Sequence, residues 1–264
     1  MRDQPEQQAP PVQRLRVRYA KRGRLRFTSH RDFSRAFERA IVRARVPMAY
    51  SSGFNPHPRI SYAGASPTGA ASEAEYLEIG LARETEPATV LAALDEALPP
   101  GLDVLEVVVS AGGSLADLLE ASVWRTRVPD LTADQAERAV RAFLASDEVL
   151  VERMTKKGLR SFDSRAAVVR LTVVDEVAHR VPGRGLPTGP ESNAEVRARE
   201  CAILEMVLRH GTPTVRPDDV LAGLRTTSGL EAVAAPFHER LAQGPLDTVT
   251  GTVGDPLALN RDTA

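Results

Sequence analysis

The hydrophobic pattern of the first 110 residues alternates between strand-like and helix-like periods in one fixed order. Strand patterns occur at residues 15–19, 59–63, 76–81 and 102–109. Helical patterns occur between Ser29, a plausible N-cap, and Pro47, and again at residues 87–98. The order strand, helix, strand, strand, helix, strand is that of a ferredoxin-like unit, which the sequence predicts for this half.

The second half begins in the same way. Its predicted strands are residues 122–128, 149–154 and 167–174, and its predicted helices are residues 132–145 and 217–224. Residues 200–209 could form a helix or a strand, and we favour a strand because residues 217–224 then supply the expected following helix. A basic loop is predicted at residues 155–160, and a Pro- and Gly-rich excursion of open role at 179–194. We therefore predict an α+β protein made of tandem ferredoxin-like (βαββαβ) units with antiparallel sheets. The predicted divisions are a disordered tail at 1–13, a first unit at 14–110, a linker at 111–120, a second unit at 121–242 and a C-terminal tail at 243–264.

Charge is distributed unevenly, although the whole chain has a formal net charge of −1. Residues 14–59 hold 13 Lys or Arg against two acids, which leaves a surplus of +11, and residues 60–264 carry −11. A basic segment of this density is typical of surfaces that bind polyanions, most often the phosphates of RNA or DNA. The alternative is that these arginines pair with acids from the C-terminal half.

The basic residues follow two predicted elements. The strand at residues 15–19 alternates apolar and basic residues, so its outward face should be arginine. The helix after Ser29 has an apolar stripe at Phe33, Ala36, Phe37, Ala40, Ile41 and Ala44. Beside that stripe lies a basic ridge with a four-residue repeat: Arg31, Arg35, Arg39 and Arg43. The nearby basic residues are Arg16, Arg18, Lys21, Arg22 and Arg24. Such guanidinium groups suit phosphate contacts, and a solvated face with local ion pairs is the alternative. The second half offers Lys156, Lys157, Arg160 and Arg165 as an extension of the same surface.

Residues 51–58, Ser-Ser-Gly-Phe-Asn-Pro-His-Pro, predict a rigid loop. Two prolines fix the backbone around His57, and the glycine permits a tight turn. Such a loop could present Asn55, His57 and the following Arg59 to a nucleic acid, with Phe54 stacking on a base. The alternative is an architectural loop in which His57 bonds to backbone carbonyls.

The candidates for catalysis are His30 at the predicted helix start, His57, Tyr50 and Tyr62. Together they could act as acid and base and cleave RNA through its own 2′-hydroxyl. For His30, a capping or packing role is the alternative. No cofactor or metal ion is predicted, because the five histidines lack ligand spacing and Cys201 is the single cysteine.

Several short motifs occur between Leu25 and Pro58: Phe27-Thr28-Ser29-His30-Arg31-Asp32, Arg35, Arg39-Ala40, Arg43-Ala44, Pro47 and the loop at 51–58. They continue in Ser66-Pro67, Gly69, Ser72 and Glu75. These motifs resemble the radical-SAM-linked family of uncharacterised bacterial proteins, in its stand-alone actinobacterial form. The resemblance is specific over about residues 14–110 and looser beyond. Arg31 and Phe33 depart from it, since they replace leucines.

The resemblance implies a partner. In that family the protein is encoded next to a radical SAM enzyme or fused to its C-terminus. One cysteine cannot supply the three-cysteine cluster motif of such an enzyme, so the radical chemistry would belong to the partner. A weaker, fold-level similarity connects the tandem units and the histidine near a basic helix to the CRISPR RNA-processing endoribonucleases.

We therefore predict an RNA-binding accessory protein that presents tRNA or rRNA to a radical SAM enzyme, and a non-catalytic partner rather than an enzyme. The alternatives are a metal-independent endoribonuclease and a purely protein-docking subunit. No apolar run approaches the roughly 18 residues of a membrane span, and the N-terminus lacks an apolar signal-peptide core. We expect a cytoplasmic protein without a membrane partner.

Overall fold

A computed structural model describes residues 7–155, 158–174, 201–230 and 234–261. In these ranges the protein is mixed α/β, with mostly antiparallel strand pairing and few helices. The chain divides into two compact units, Met1–Leu119 with Asp255–Ala264, and Glu120–Gly254. Lys156, Lys157 and the predicted excursion at 179–194 lie outside the described residues.

All six elements predicted for the first unit are confirmed. In chain order they are β1 (Gln13–Lys21), α1 (His30–Arg43), β2 (Ile60–Ala63), β3 (Ala71–Leu81), α2 (Pro87–Ala97) and β4 (Val104–Val109). β1 pairs with β3 on one side and with β4 on the other, and β2 pairs with β3. β3 begins five residues before the prediction. Residues 71–75 are small or acidic although they are buried, so they give no apolar strand pattern in the sequence. A short 3-10 turn, Gly23–Phe27, leads from β1 towards α1.

Local sequence explains α1. The side chain of Ser29 accepts a hydrogen bond from the backbone N–H of Asp32, so the predicted N-cap is confirmed. Phe33 and Phe37, both almost completely buried, lie on the face that packs on the sheet, and the ring of Phe33 stacks on Tyr19 of β1 at 4.5 Å. Full burial of one such side chain contributes about 1.5–3 kcal/mol, so this contact fixes which face of α1 points outward.

The second unit repeats the order of elements with one insertion. Its elements are β5 (Ala121–Pro129), α3 (Ala133–Leu144), β6 (Leu150–Thr155), β7 (Gly158–Asp163), β8 (Val168–Val174), β9 (Cys201–Arg209), α4 (Pro217–Ser228) and β10 (Phe237–Gly244). β5 pairs with β9 and β10, and β8 pairs with β9. β6 and β7 form a separate hairpin. The predicted basic loop at 155–160 is therefore wrong for the residues of it that the structure describes, because β6 extends to Thr155 and β7 begins at Gly158. The sequence has no alternation of apolar residues there that would predict a strand.

The C-terminal residues also differ from the expected tail at 243–264. β11 (Leu246–Asp247) pairs with β12 (Thr252–Val253), and α5 (Ala258–Arg261) packs on β4. Leu257 and Asn260 are fully buried in the first unit. None of the helices in the described ranges is long and apolar enough to cross a membrane.

Candidate nucleic-acid interface

The outward face of α1 carries the arginines with the four-residue repeat. Arg31, Arg35 and Arg39 are exposed, on the side of the helix opposite the buried phenylalanines. Among the described residues, none of these three guanidinium groups makes an ion pair. The helical rise places successive groups about 6 Å apart along the axis. Unpaired, regularly spaced cations of this kind are suited to a polyanion.

Two further arginines lie near the ends of the same helix. Arg24, in the 3-10 turn before α1, is exposed and has no ion pair in the part of the chain that the structure describes. Arg43, in the last turn, is exposed and donates one hydrogen bond to the backbone oxygen of Ala97, at 3.2 Å. Together with Arg31, Arg35 and Arg39 they form what we call the α1 basic face.

Arg16 of β1 has a different environment. Its exposed fraction is 2%, so it does not lie on an outward face as the strand pattern predicted. Its guanidinium donates to a carboxylate oxygen of Glu78 and to the side-chain oxygen of Asn260, both at 3.2 Å. It also donates to the backbone oxygens of Gly112 and Gly113, at 2.6 and 3.0 Å. With these N–H donors engaged, Arg16 connects parts of the first unit and does not present its guanidinium to an external phosphate.

The other arginines at this end of the chain are also engaged. Arg18 donates to the backbone oxygen of Glu73 at 2.9 Å, and the exposed Arg14 pairs with Glu78. Arg22 bonds to the carboxylates of Glu73 and Asp103, each at 2.5 Å. Hydrogen bonding to Glu73 is the main cause that raises the pKa of Arg22 above its usual value. Three arginines of the β1 region, Arg14, Arg16 and Arg22, thus pair with acids of the same unit. Three arginines of α1, Arg31, Arg35 and Arg39, make no ion pair with any described residue.

The loop at 51–58 is closed by its own backbone. The N–H of Ser51 donates to the backbone oxygen of His57 at 2.8 Å, and the Ser51 hydroxyl accepts from the His57 N–H at 3.0 Å. Gly53 has φ +125°, a conformation that only glycine adopts easily. The side chains of Phe54, Asn55 and His57 are exposed. The loop therefore presents these groups on a fixed backbone.

Arg59 and Tyr50 lie where this loop joins the unit. The half-buried Arg59 donates through Nε to the backbone oxygen of Tyr50 at 3.1 Å, and Tyr50 is 41% exposed. This bond closes the base of the loop, so part of the hydrogen-bonding capacity of Arg59 is used inside the protein.

The histidines and tyrosines of the catalytic hypothesis lie in two groups. His30, exposed in the first turn of α1, contacts Tyr62 edge to face with ring centroids 4.9 Å apart. Burial is the main cause that raises the pKa of Tyr62. His57 and Tyr50 belong to the 51–58 loop and its base. No hydrogen bond or ring contact joins His30 to His57 within the described ranges.

In the second unit, Arg160 lies opposite Arg153 in the β6–β7 hairpin and is exposed. Arg153 is held by the carboxylate of Asp219 at 2.5 Å and lies over the ring of Phe162. Arg165 donates to the backbone oxygen of Val168 at 3.2 Å. Of the predicted basic extension, Arg160 is therefore the exposed group among the residues that the structure describes.

Sequence reasoning missed Phe27, which ends the 3-10 turn that precedes α1. Its ring is 59% exposed, and the guanidinium carbon of Arg26 lies 4.5 Å from the ring centroid. The available signal was the alternation in Arg24-Leu25-Arg26-Phe27, where an aromatic residue follows a basic run. Basic residues interleaved with aromatic ones are typical of surfaces that bind single strands.

A second missed cluster, in the second unit, is structural. The buried His238 contacts the hydroxyl of Thr126 and the carboxylate of Asp218, both at 2.9 Å. A carboxylate only accepts, so Nε2 of His238 carries the hydrogen, and this bond is the main cause that lowers the pKa of Asp218. The Thr126 side chain is fully buried, which removes it from reach of a substrate. No group of three His, Cys, Asp or Glu residues that could hold a metal ion occurs in the described ranges.

Comparison with known proteins covers most of the two units. The model of one protein family, described as an uncharacterized protein conserved in bacteria (DUF2344), matches residues 14–217. These residues extend from β1 to the first residue of α4 and include the whole α1 basic face. No curated protein matches the chain.

Proposed function

We propose that this chain, which belongs to the DUF2344 family of uncharacterised proteins conserved in bacteria, is an RNA-binding accessory protein of a radical SAM enzyme. In this role it presents tRNA or rRNA to the enzyme for modification. The observation that carries the proposal is the α1 basic face, whose Arg31, Arg35 and Arg39 have no ion-pair partner among the described residues. Because the net charge of the chain is −1, such a local surplus directs a polyanion to one surface rather than to the whole molecule.

The radical SAM partner, and the stand-alone actinobacterial form, are part of the proposal. They rest on the motifs between Phe27 and Pro58 that resemble the radical-SAM-linked family. Cys201 is the single cysteine of the sequence, so the cluster that starts radical chemistry would be held by the partner. For a protein with an RNA-binding role beside such an enzyme, we propose a cytoplasmic location.

For the architecture we propose two ferredoxin-like units in tandem. The strand pairings support this when the β6–β7 hairpin of the second unit is left out of the count. In each unit the first strand then pairs with the third and the fourth, and the second pairs with the third. A helix follows the first and the third strand in both units, as in a βαββαβ unit. The proposed similarity to CRISPR RNA-processing endoribonucleases rests on this architecture.

Filter binding of total RNA, tRNA and rRNA by the full chain at low and high salt tests the function. We expect measurable affinity at about 50 mM salt and a steep loss by about 200 mM, because phosphate contacts release counterions. Absence of affinity for RNA, or affinity that salt does not change, would exclude the proposal. If the protein then still co-purified with the radical SAM enzyme, the protein-docking alternative would replace it.

A metal-independent endoribonuclease is the second candidate, and the ring contact between His30 and Tyr62 favours it. Incubation of the purified chain with RNA in EDTA tests it directly. Cleavage that disappears in His30→Ala or His57→Ala would support this candidate. RNA that stays intact, or cleavage that both variants retain, would rule it out.

A further inference from the structure

Exposed aromatic rings in the first unit are concentrated on both sides of α1 in the sequence. Phe27 before the helix is 59% exposed, and Tyr50 and Phe54 after it are 41% and 70% exposed. The remaining Phe and Tyr residues described in this unit are buried or half-buried: Tyr19, Phe33, Phe37, Tyr62 and Tyr76. Isolated exposed apolar residues are common, but three exposed aromatic residues that flank a basic helix in the sequence need an explanation.

Phe27 is held in place rather than loosely attached. It ends the 3-10 turn, and the backbone oxygen of Arg26 accepts a hydrogen bond from the N–H of Gly69 at 2.8 Å. The guanidinium of Arg26 lies 4.5 Å from the centroid of the Phe27 ring. An exposed aromatic ring on a fixed backbone offers a stacking surface for a base.

Phe54 is presented in a comparable way. Its loop is closed by the two hydrogen bonds between Ser51 and His57, and the turn at Gly53 depends on a positive φ. Asn55 and His57, both exposed, can bond to the edges of a base that stacks on the Phe54 ring. Because the backbone is already fixed, little conformational entropy is lost when a ligand binds.

We infer that the α1 basic face selects unpaired RNA, with Phe27 and Phe54 stacking on its bases; this rests on the proposed RNA-binding function. In a duplex the faces of the bases are covered by their neighbours, so the rings would find no partner there. Stacking on aromatic side chains requires bases that are already unpaired, as in loops, bulges and ends. The substrate class is therefore an RNA with a single-stranded segment.

The test compares a single-stranded RNA of about 12 nucleotides with the duplex formed by the same sequence and its complement. We expect the native chain to bind the single strand more tightly than the duplex. Phe27→Leu and Phe54→Leu keep an apolar side chain but remove the ring. Each should weaken single-strand binding at least about fivefold and leave duplex binding unchanged. Val249→Ala in the second unit, where the valine is 92% exposed, is the control and should change neither affinity.

The outcomes separate this inference from the proposed function. Equal affinity for single strand and duplex, or full single-strand affinity in the Phe27→Leu/Phe54→Leu double variant, would overturn the stacking role while RNA binding stands. Absence of affinity for both RNAs at low salt would remove RNA binding and the stacking role together. Circular dichroism of each variant confirms that a lost affinity does not reflect a lost fold.

Discussion

Replacing the unpaired arginines of α1 should separate RNA binding from folding. In the Arg31→Gln/Arg35→Gln/Arg39→Gln variant each substitution removes a positive charge and keeps a helix propensity close to that of arginine. None of the three side chains makes an ion pair in the described part of the protein, so no carboxylate there loses a partner. We expect the variant to fold as the native chain does and to bind RNA more weakly.

The magnitude follows from the number of charges removed. If each guanidinium contacts one phosphate of a single strand, each contributes about 0.7 to the slope of log affinity against log salt concentration. Loss of three contacts should reduce that slope by about 2. Between about 50 and 200 mM salt the native chain should then lose about 20-fold more affinity than the variant. Filter binding of a labelled single-stranded RNA across this range measures both slopes.

Two arginines on α3 provide the matched control. Arg138 and Arg141 are also exposed on a helix, but Arg141 pairs with Glu137 four residues earlier at 3.3 Å. The Arg138→Gln/Arg141→Gln variant should keep the native slope. A native slope in the α1 variant, or an equal reduction in the α3 variant, would refute the assignment of phosphate contacts to α1.

Three substitutions should change stability in ways that the structure specifies. Gly223→Ala places a Cβ 2.6 Å from the buried Phe143 ring, so the free energy of unfolding, measured by thermal unfolding, should fall by about 1–3 kcal/mol. An unchanged or higher Tm would contradict this overpacking. Arg16→Met removes the hydrogen bonds that the buried guanidinium donates to Glu78 and Asn260, and should lower the urea midpoint by an amount equivalent to about 3 kcal/mol; a native midpoint would show that these bonds contribute little. Because the bond from His238 lowers the pKa of Asp218, the ionised carboxylate stabilises the fold at pH values above 3.8, the ordinary pKa of an aspartate. This contribution is lost as the pH falls through the lowered pKa. Asp218→Asn should accordingly be less stable than the native chain at neutral pH and equal to it in acid, and a constant difference across the pH range would refute the linkage.

Sequence alone predicted the features that depend on near neighbours. The Ser29 cap, the buried Phe33 and Phe37 and the exposed arginines of α1 all follow from residues within one or two helical turns. The environment of Arg16 could not be predicted in this way. Its partners include Asn260, 244 positions away, whose C-terminal segment has no periodic pattern. Alternation along a strand shows which residues share a face, but not whether another part of the chain covers that face.

A purely structural explanation of the α1 basic face conflicts with the energetics of helices. A helix gains about 0.2–0.5 kcal/mol from each acid placed four residues before a base, and α3 has such a pair in Glu137 and Arg141. In α1 the residue four positions before Arg35, Arg39 and Arg43 is in each case another arginine. Like charges at this spacing destabilise by similar amounts, so the three pairs together cost the helix about 1 kcal/mol. A repeat that lowers the stability of its own helix is favoured where an external polyanion supplies the missing negative charge.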